Sequence, residues 1–280
     1  MVASRTYPDV VWVNNDSGHE PALFAIDTNG RVLLPEPWAQ RGYIIGPKKS
    51  KRRTLFEGIP LEEAVNRDWE ALASDGDRLY VCDLGNNDNE RRDLTVYVVA
   101  EPNPRTATSA RVLKKLLVAY PDQEAFPPAL REYDCEATFV YGHKLYFLTK
   151  HRPTSKKGGP VTSTKLYRLD TEDASRVNQL TLVERHADLG GWVTDADLST
   201  DGRTLAVLCE APIQSVWLFD APPSGDRFLS SHARRLVFSG AGQCEAIAFL
   251  DDHRILMGNE DNQLFMLETE DFQTQLRSTP

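Results

Sequence analysis

The chain has 280 residues, with 32 Lys or Arg against 41 Asp or Glu, a formal charge of −9 and a pI near 5.2. That balance excludes nucleic acid and an anionic membrane surface as principal partners, since both select a net basic footprint. No run approaches the roughly 20 consecutive apolar residues that span a bilayer, so no membrane insertion is expected, and the opening MVASRTYPDVVWV lacks the basic-then-apolar pattern of a signal peptide.

Taken in chain order, one pair of strand signatures recurs five times. The first member is an apolar run ending in polar residues: VVWVNND, LYVCDLG, LYFLTK, LAVLCEA and ILMGNED. Such runs read as strands buried on both faces. The second member alternates around an aromatic: ALFAID at Phe24, LTVYVVA at Tyr97, TKLYRLD at Tyr167, SVWLFDA at Trp217 and QLFMLET at Phe265. Four of the apolar runs follow another short strand and a tight turn, in DWEALASDGDRLYV, DCEATFVYGHKLYF, TDADLSTDGRTLAV and CEAIAFLDDHRILM, where Asp75-Gly76 and Asp201-Gly202 are hairpin turn pairs. A fourth strand follows in LKKLLVAYP, LTLVERHAD and RRLVFSG.

Four antiparallel strands repeated every roughly 50 to 70 residues predict an all-β fold, a β-propeller of about five four-stranded blades. Six blades are the alternative count, and a β-sandwich is the competing architecture. Residues 1–280 are expected to form a single propeller domain and a monomer, with PLEEAVNRDWEAL the one short helical candidate. The first unit starts inside an innermost strand, so its blade is expected to be incomplete at the N-terminal side. Either FQTQLRSTP closes the ring or residues upstream of Met1 do.

The acids follow this layout. Glu70, Glu136 and Glu245 fall at the starts of innermost strands, and Asp83, Glu210 and Glu260 at the ends of second strands, with Asp16 and the pair Asp195/Asp197 at comparable places in the other blades. In an antiparallel blade these positions meet on one rim of the central channel, beneath the long loops GPKKSKRRTLFEG, DLGNNDNERRD and TKHRPTSKKGGPVTS. Carboxylates crowded at a partly desolvated rim repel unless some take up protons or a cation intervenes. Oxygen ligands suit calcium, with magnesium or no cofactor as alternatives. The candidate metal ligands are Glu70, Asp83, Glu136, Glu245, Asn259 and Glu260, and the candidate ligand contacts Asp16, Asn86, Asn87, Lys150 and Glu210. The competing structural reading pairs the acids with Arg, Lys or backbone amides to fasten the blades.

No GxSxG, Walker, HExxH or dinucleotide-binding glycine motif is present. If the rim is catalytic, Glu70, Glu136, Lys150 and His151 are the candidates. Lys150 stands where other blades have an acid or amide, and His151 in TKHRP is the one histidine placed near the rim by motif position, against the plainer reading of a solvated loop residue. The basic runs Lys48-Lys49-Ser50-Lys51-Arg52-Arg53 and Lys156-Lys157 read as solvated charge or as a polyanion rim. Cys82, Cys135, Cys209 and Cys244 show no CxxC spacing and read as buried thiols, with a disulfide possible in an exported protein.

Asn15-Asp16-Ser17-Gly18, Asp68-Trp69-Glu70, Leu79 to Asn87, Asp134-Cys135-Glu136 and Gln243-Cys244-Glu245-Ala246 together resemble a bacterial propeller family of uncharacterised activity, which pairs NDSG, DWE and LYxxDxGNN motifs. More distantly the chain is similar to phytase-like esterase propellers and other calcium-centred propellers, whose innermost strands carry D-x-E-G where this chain has Glu-Ala. The resemblance implies a Ser-Gly and an acid ahead of VASR, and a periplasmic or secreted location, with the cytoplasm as the alternative.

Three functions are compatible with this reading. The first is a binding propeller, with calcium in an acidic central pocket and a small polar or anionic ligand above it. The second is a metal-dependent hydrolase of a phosphoester, ester or lactone. The third is a protein-interaction scaffold in which the acids are structural.

Overall fold

The paired runs form strands where their alternation places them, because each half-buried strand needs a neighbour for its backbone and its apolar face. In the computed structural model, which describes residues 1–45, 54–154 and 158–274, the second and third strands of successive blades are Val10–Asn14 and Ala22–Asp27, Arg78–Asp83 and Thr95–Ala100, Lys144–Arg152 and Thr164–Arg168, Thr204–Pro212 and Ser215–Asp220, and Arg254–Asn259 and Leu264–Glu268. The innermost strands are Val2–Ala3, Trp69–Asp75, Arg131–Tyr141, Gly191–Leu198 and Cys244–Phe249. Each pairs antiparallel with the second strand of its own blade.

Five apolar cores lie between consecutive blades. The seam from blade 2 to blade 3 sets Ala73, Cys82 and Val98 against Cys135, Phe147 and Tyr167. Blades 1 and 2, 3 and 4, and 4 and 5 meet in the same way around Trp12, Phe139 and Phe249. The fifth core sets Ala248 and Leu256 of blade 5 against Met1, Ala3, Val11 and Ile26 of blade 1. The ring therefore closes with five blades rather than six. Each fully buried aliphatic or aromatic side chain in these seams contributes on the order of 1.5 to 3 kcal/mol.

Three details differ from the sequence expectation. Ile59–Glu62, Ala110–Ala119, Thr181–His186 and Ala233–Val237 are the fourth strands of blades 1 to 4, whereas among the described residues the sheet of blade 5 has three strands. PLEEAVNRDWEAL is not helical: its two ends are the strands Ile59–Glu62 and Trp69–Asp75, the second fixed by alternation of Ala71 and Ala73 into one seam and Leu72 into the other. The α-helix among the described residues is Glu36–Gln40, a single turn started by Pro37. Finally, Gln273–Thr274, within the FQTQLRSTP segment, pairs with Ala233–Val237 on the outside of blade 4.

All four cysteines are free and buried in the seams, and burial pushes the Cys82 and Cys209 thiols up to about 12. No described helix is long and apolar enough to cross a membrane.

Candidate functional site at the acidic channel mouth

The rim is built by one repeated backbone irregularity. In blade 2 Trp69 pairs with Asp83 and Ala71 with Cys82, leaving Glu70 bulged out of the ladder. The same shift lies between Cys135 and Ala137, Val193 and Asp195, and Cys244 and Ala246, leaving out Glu136, Thr194 and Glu245. A bulge re-aims the extra residue, and Glu70, Glu136, Thr194 and Glu245 all line one cavity of about 640 Å³ at the channel mouth.

Thr194 is thus the rim residue of blade 4, which corrects the placement of Asp195 and Asp197. Those two lie deeper in the ladder, opposite Leu208 and Ala206. They accept the N–H groups of Ile247 and Phe249, each at 2.8 Å, and so tie blade 4 to blade 5. The Met1 amino group lies 3.1 Å from Asp195. Asp83 is also off the rim register. It pairs with Trp69, whereas Lys150 and Glu210 pair one step further out with Asp134 and Trp192.

Several candidate ligands are already engaged by the protein's own donors. Asp83 accepts the Asp68 N–H at 3.0 Å and pairs with Arg91 at 2.9 Å. Asn86 is buried, donating its N–H to Asp134 at 2.6 Å and accepting the Arg91 N–H at 3.0 Å, while Asn87 is exposed. Asn259 closes a turn with the Gln263 N–H at 2.8 Å and donates to the Ala241 carbonyl at 2.6 Å. Glu210 accepts the Cys244 N–H at 2.7 Å and the Gln214 side chain at 3.0 Å.

His151 is not a solvated loop residue. It lies within the second strand of blade 3, one residue before its end, with 3% exposure, its ring nitrogens 2.7 Å from Ser163 Oγ and 3.1 Å from Thr149 Oγ1. Strand alternation turns it from the side occupied by Lys150. Burial lowers its pKa to about 4, so the ring is neutral.

What remains at the mouth divides into two halves. On one side Glu136 faces Lys150 at 3.2 Å and Arg152 at 3.1 Å, and Asp134 holds Arg152 at 2.5 Å. On the other, Asp16, Asp68 and Glu70 bring carboxylate oxygens within 4.8 Å of one another. Among the described residues, no side chain or backbone N–H donates to the carboxylates of Asp68 and Glu70, while Asp16 accepts the Ser17 N–H. Burial, then Asp16, raises the Asp68 carboxyl to about 6, and burial, then Glu136, holds Glu70 well above the carboxylate range. Gly85 packs so closely on this pair that a Cβ there would strike both Asp68 and Glu70.

Glu245 and Glu260 complete the ring, sharing the amide of Gln243 at 2.6 and 3.1 Å. Beyond Thr194 and Glu245 a second cavity of about 350 Å³ is lined by Lys150, Arg152, Trp192 and Glu210. Asp68, Asp134, Arg152 and Thr194 were not among the residues predicted for the site. The first two carry a readable sign, the shared Asp-x-Glu spacing of Asp68-Trp69-Glu70 and Asp134-Cys135-Glu136. Lys48-Lys49-Ser50-Lys51-Arg52-Arg53 and Lys156-Lys157 lie outside the described residues.

No family model matches the chain, and no curated protein matches it in sequence. Among solved structures, Chaetomium thermophilum Sqt1 bound to the N-terminus of ribosomal protein L10 is 15% identical with a TM-score of 0.36, over 71% of this chain and 45% of that one. Sqt1 alone is 16% identical with a TM-score of 0.37, over 74% and 45%. A protein from Lactobacillus plantarum is 17% identical with a TM-score of 0.40, over 78% and 58%. The chain spans about half the length of the solved structures it matches. The five-bladed fold rests on the seams and registers of this chain.

Proposed function

We propose that the chain is a binding propeller whose acidic channel mouth takes up a divalent cation, calcium by its oxygen ligands, and offers a small polar ligand a place in the adjoining cavity. One observation carries this reading: Asp16, Asp68 and Glu70 converge without a direct ion pair to Lys, Arg or His among the described residues, while the acids opposite them are paired with Lys150 and Arg152. Three carboxylates so close repel, and a divalent cation removes the repulsion without any rearrangement of the blades. The Gly85 backbone supports the fit, since it leaves the carboxylates the space a side chain would take. When bound, calcium would supply a positive centre able to hold an oxygen-bearing ligand; Asp16, Asp68 and Glu70 would hold the ion.

Calorimetric titration of calcium into chelator-treated protein, paired with thermal unfolding, tests the reading. Uptake of one equivalent with a rise in Tm is expected for the wild type, and loss of both in Asp68→Asn and Glu70→Gln. No uptake and no shift in the wild type would overturn it.

A further inference from the structure

The cavity at the channel mouth continues outward between blades 5 and 1, and the register explains why that seam is open. Cys82, Leu148 and Leu208 hold the same place in the second strands of blades 2, 3 and 4, opposite Val96, Leu166 and Val216, and all six are fully buried in the seam that follows. In blade 5 the pair is Gly258 and Leu264. Where its counterparts are 0% exposed, Leu264 is 36% exposed, and Met266, two residues on, is 45% exposed. The side chain missing at Gly258 leaves a slot walled by Phe24, Ile26 and Val32 of blade 1 and by Leu264. Its inner end meets Glu245 and Glu260, which share one amide donor and face no cation among the described residues.

We propose that this slot binds an organic cation with an unbranched apolar tail, its ammonium group on Glu245 and Glu260 and its hydrocarbon along Phe24, Ile26, Val32 and Leu264. A cavity of about 640 Å³ is of the size that holds small ligands. Apolar walls reward burial of methylene groups, and two carboxylates side by side reward a positive charge between them. The slot shares the channel mouth with the calcium site but uses other carboxylates, so it does not depend on that reading.

Calorimetric titration of the full chain with methylammonium, butylammonium and hexylammonium, with calcium present and again with chelator, tests the proposal, and hexanoate serves as the charge control. Affinity should rise about three- to fourfold per added methylene, with hexanoate at least about tenfold weaker than hexylammonium. Gly258→Leu, which restores the leucine of Leu148 and Leu208, should flatten the chain-length trend, and Gly258→Ala should weaken it partly. A Cβ at Gly258 meets only side chains, the nearest Leu264 at 3.3 Å. Glu260→Gln should weaken every alkylammonium by a similar factor. Equal affinity for methylammonium and hexylammonium, an unchanged trend in both Gly258 variants, or hexanoate binding as well as hexylammonium would overturn the slot. Absence of a calcium shift with the chain-length trend intact overturns the metal reading alone.

Discussion

Glu70 and Glu136 stand at the same bulge of neighbouring innermost strands, yet of the two only Glu136 forms ion pairs, with Lys150 at 3.2 Å and Arg152 at 3.1 Å. Burial, then Asp134, still holds Glu136 well above the carboxylate range, so its cations offset only part of the cost and the two carboxyls differ in degree. Removing charge from Glu70 relieves repulsion from Glu136, Asp134, Asp16 and Asp68. Removing it from Glu136 leaves Lys150 beside a neutral amide in a buried place. In chelator at neutral pH, Glu70→Gln should raise the free energy of unfolding by on the order of 1 kcal/mol, and Glu136→Gln should raise it less, because it also gives up the contacts with Lys150 and Arg152. Urea denaturation of the two variants beside wild type measures this, and a loss of stability in Glu70→Gln would count against an unpaired acid.

Gly85 tests the same acids from the backbone side. An alanine Cβ would meet the far ends of the Asp68 and Glu70 side chains, which can swing away more readily than a strand can shift. Gly85→Ala should therefore cost little stability, within about 1 kcal/mol, while moving the carboxylates apart. Calcium affinity should fall at least about tenfold. A variant that binds calcium like wild type would show that these side chains do not hold the ion.

How far the site could be read from sequence depended on which physical signal marked each residue. The strands were legible because alternation around Phe24, Tyr97, Tyr167, Trp217 and Phe265 records which side faces a seam. Glu70, Glu136 and Glu245 were legible because each stands just before a small alanine in a repeated context. Thr194 was hidden, since nothing in Val193-Thr194-Asp195 marks where a bulge falls, and two neighbouring aspartates drew the eye to amide-binding positions deeper in the strand. The pairing that neutralises half of the rim was also hidden: Arg152 reaches Asp134 across the ladder, a partnership set by a bulge in register rather than by spacing. The open seam could not be found without that register, because Gly258 matters only through its alignment with Leu148 and Leu208.

His151 gives the protein an acid limit. Its folded pKa is about 4, against 6.5 for the free side chain. Below pH 6.5 the unfolded chain takes up a proton that the folded one refuses, so the stability contributed by neutral His151 is complete above that pH and falls away toward pH 4, by up to about 3 kcal/mol. Asp68 works in the opposite sense. With a folded pKa raised to about 6 from 3.8, it adds stability as pH falls through that window. The two are separated by comparing wild type with His151→Gln in urea from pH 7.5 to 4.5. The variant should be less stable at pH 7.5, where its hydrogen bonds to Ser163 and Thr149 are compromised, and the gap should close or reverse by pH 4.5. Parallel pH profiles would show that His151 takes a proton as readily folded as unfolded.

Glu210 separates fastening from binding. Its carboxylate accepts the Cys244 N–H at 2.7 Å and the Gln214 amide at 3.0 Å, joining blade 4 to the bulged start of blade 5. Glu210→Ala leaves the Cys244 N–H without its partner and opens space beside Trp192 and Gly242 in the smaller cavity. Loss of a buried, charge-assisted acceptor costs about 1 to 3 kcal/mol, which should appear in urea denaturation. Because Glu245 follows Cys244 directly, loosening this contact should also weaken the alkylammonium series. Calcium uptake at Asp16, Asp68 and Glu70 should be unchanged, since those residues lie in blades 1 and 2. If calcium uptake fell along with stability, Glu210 would belong to the ion's own site rather than to the joint between blades.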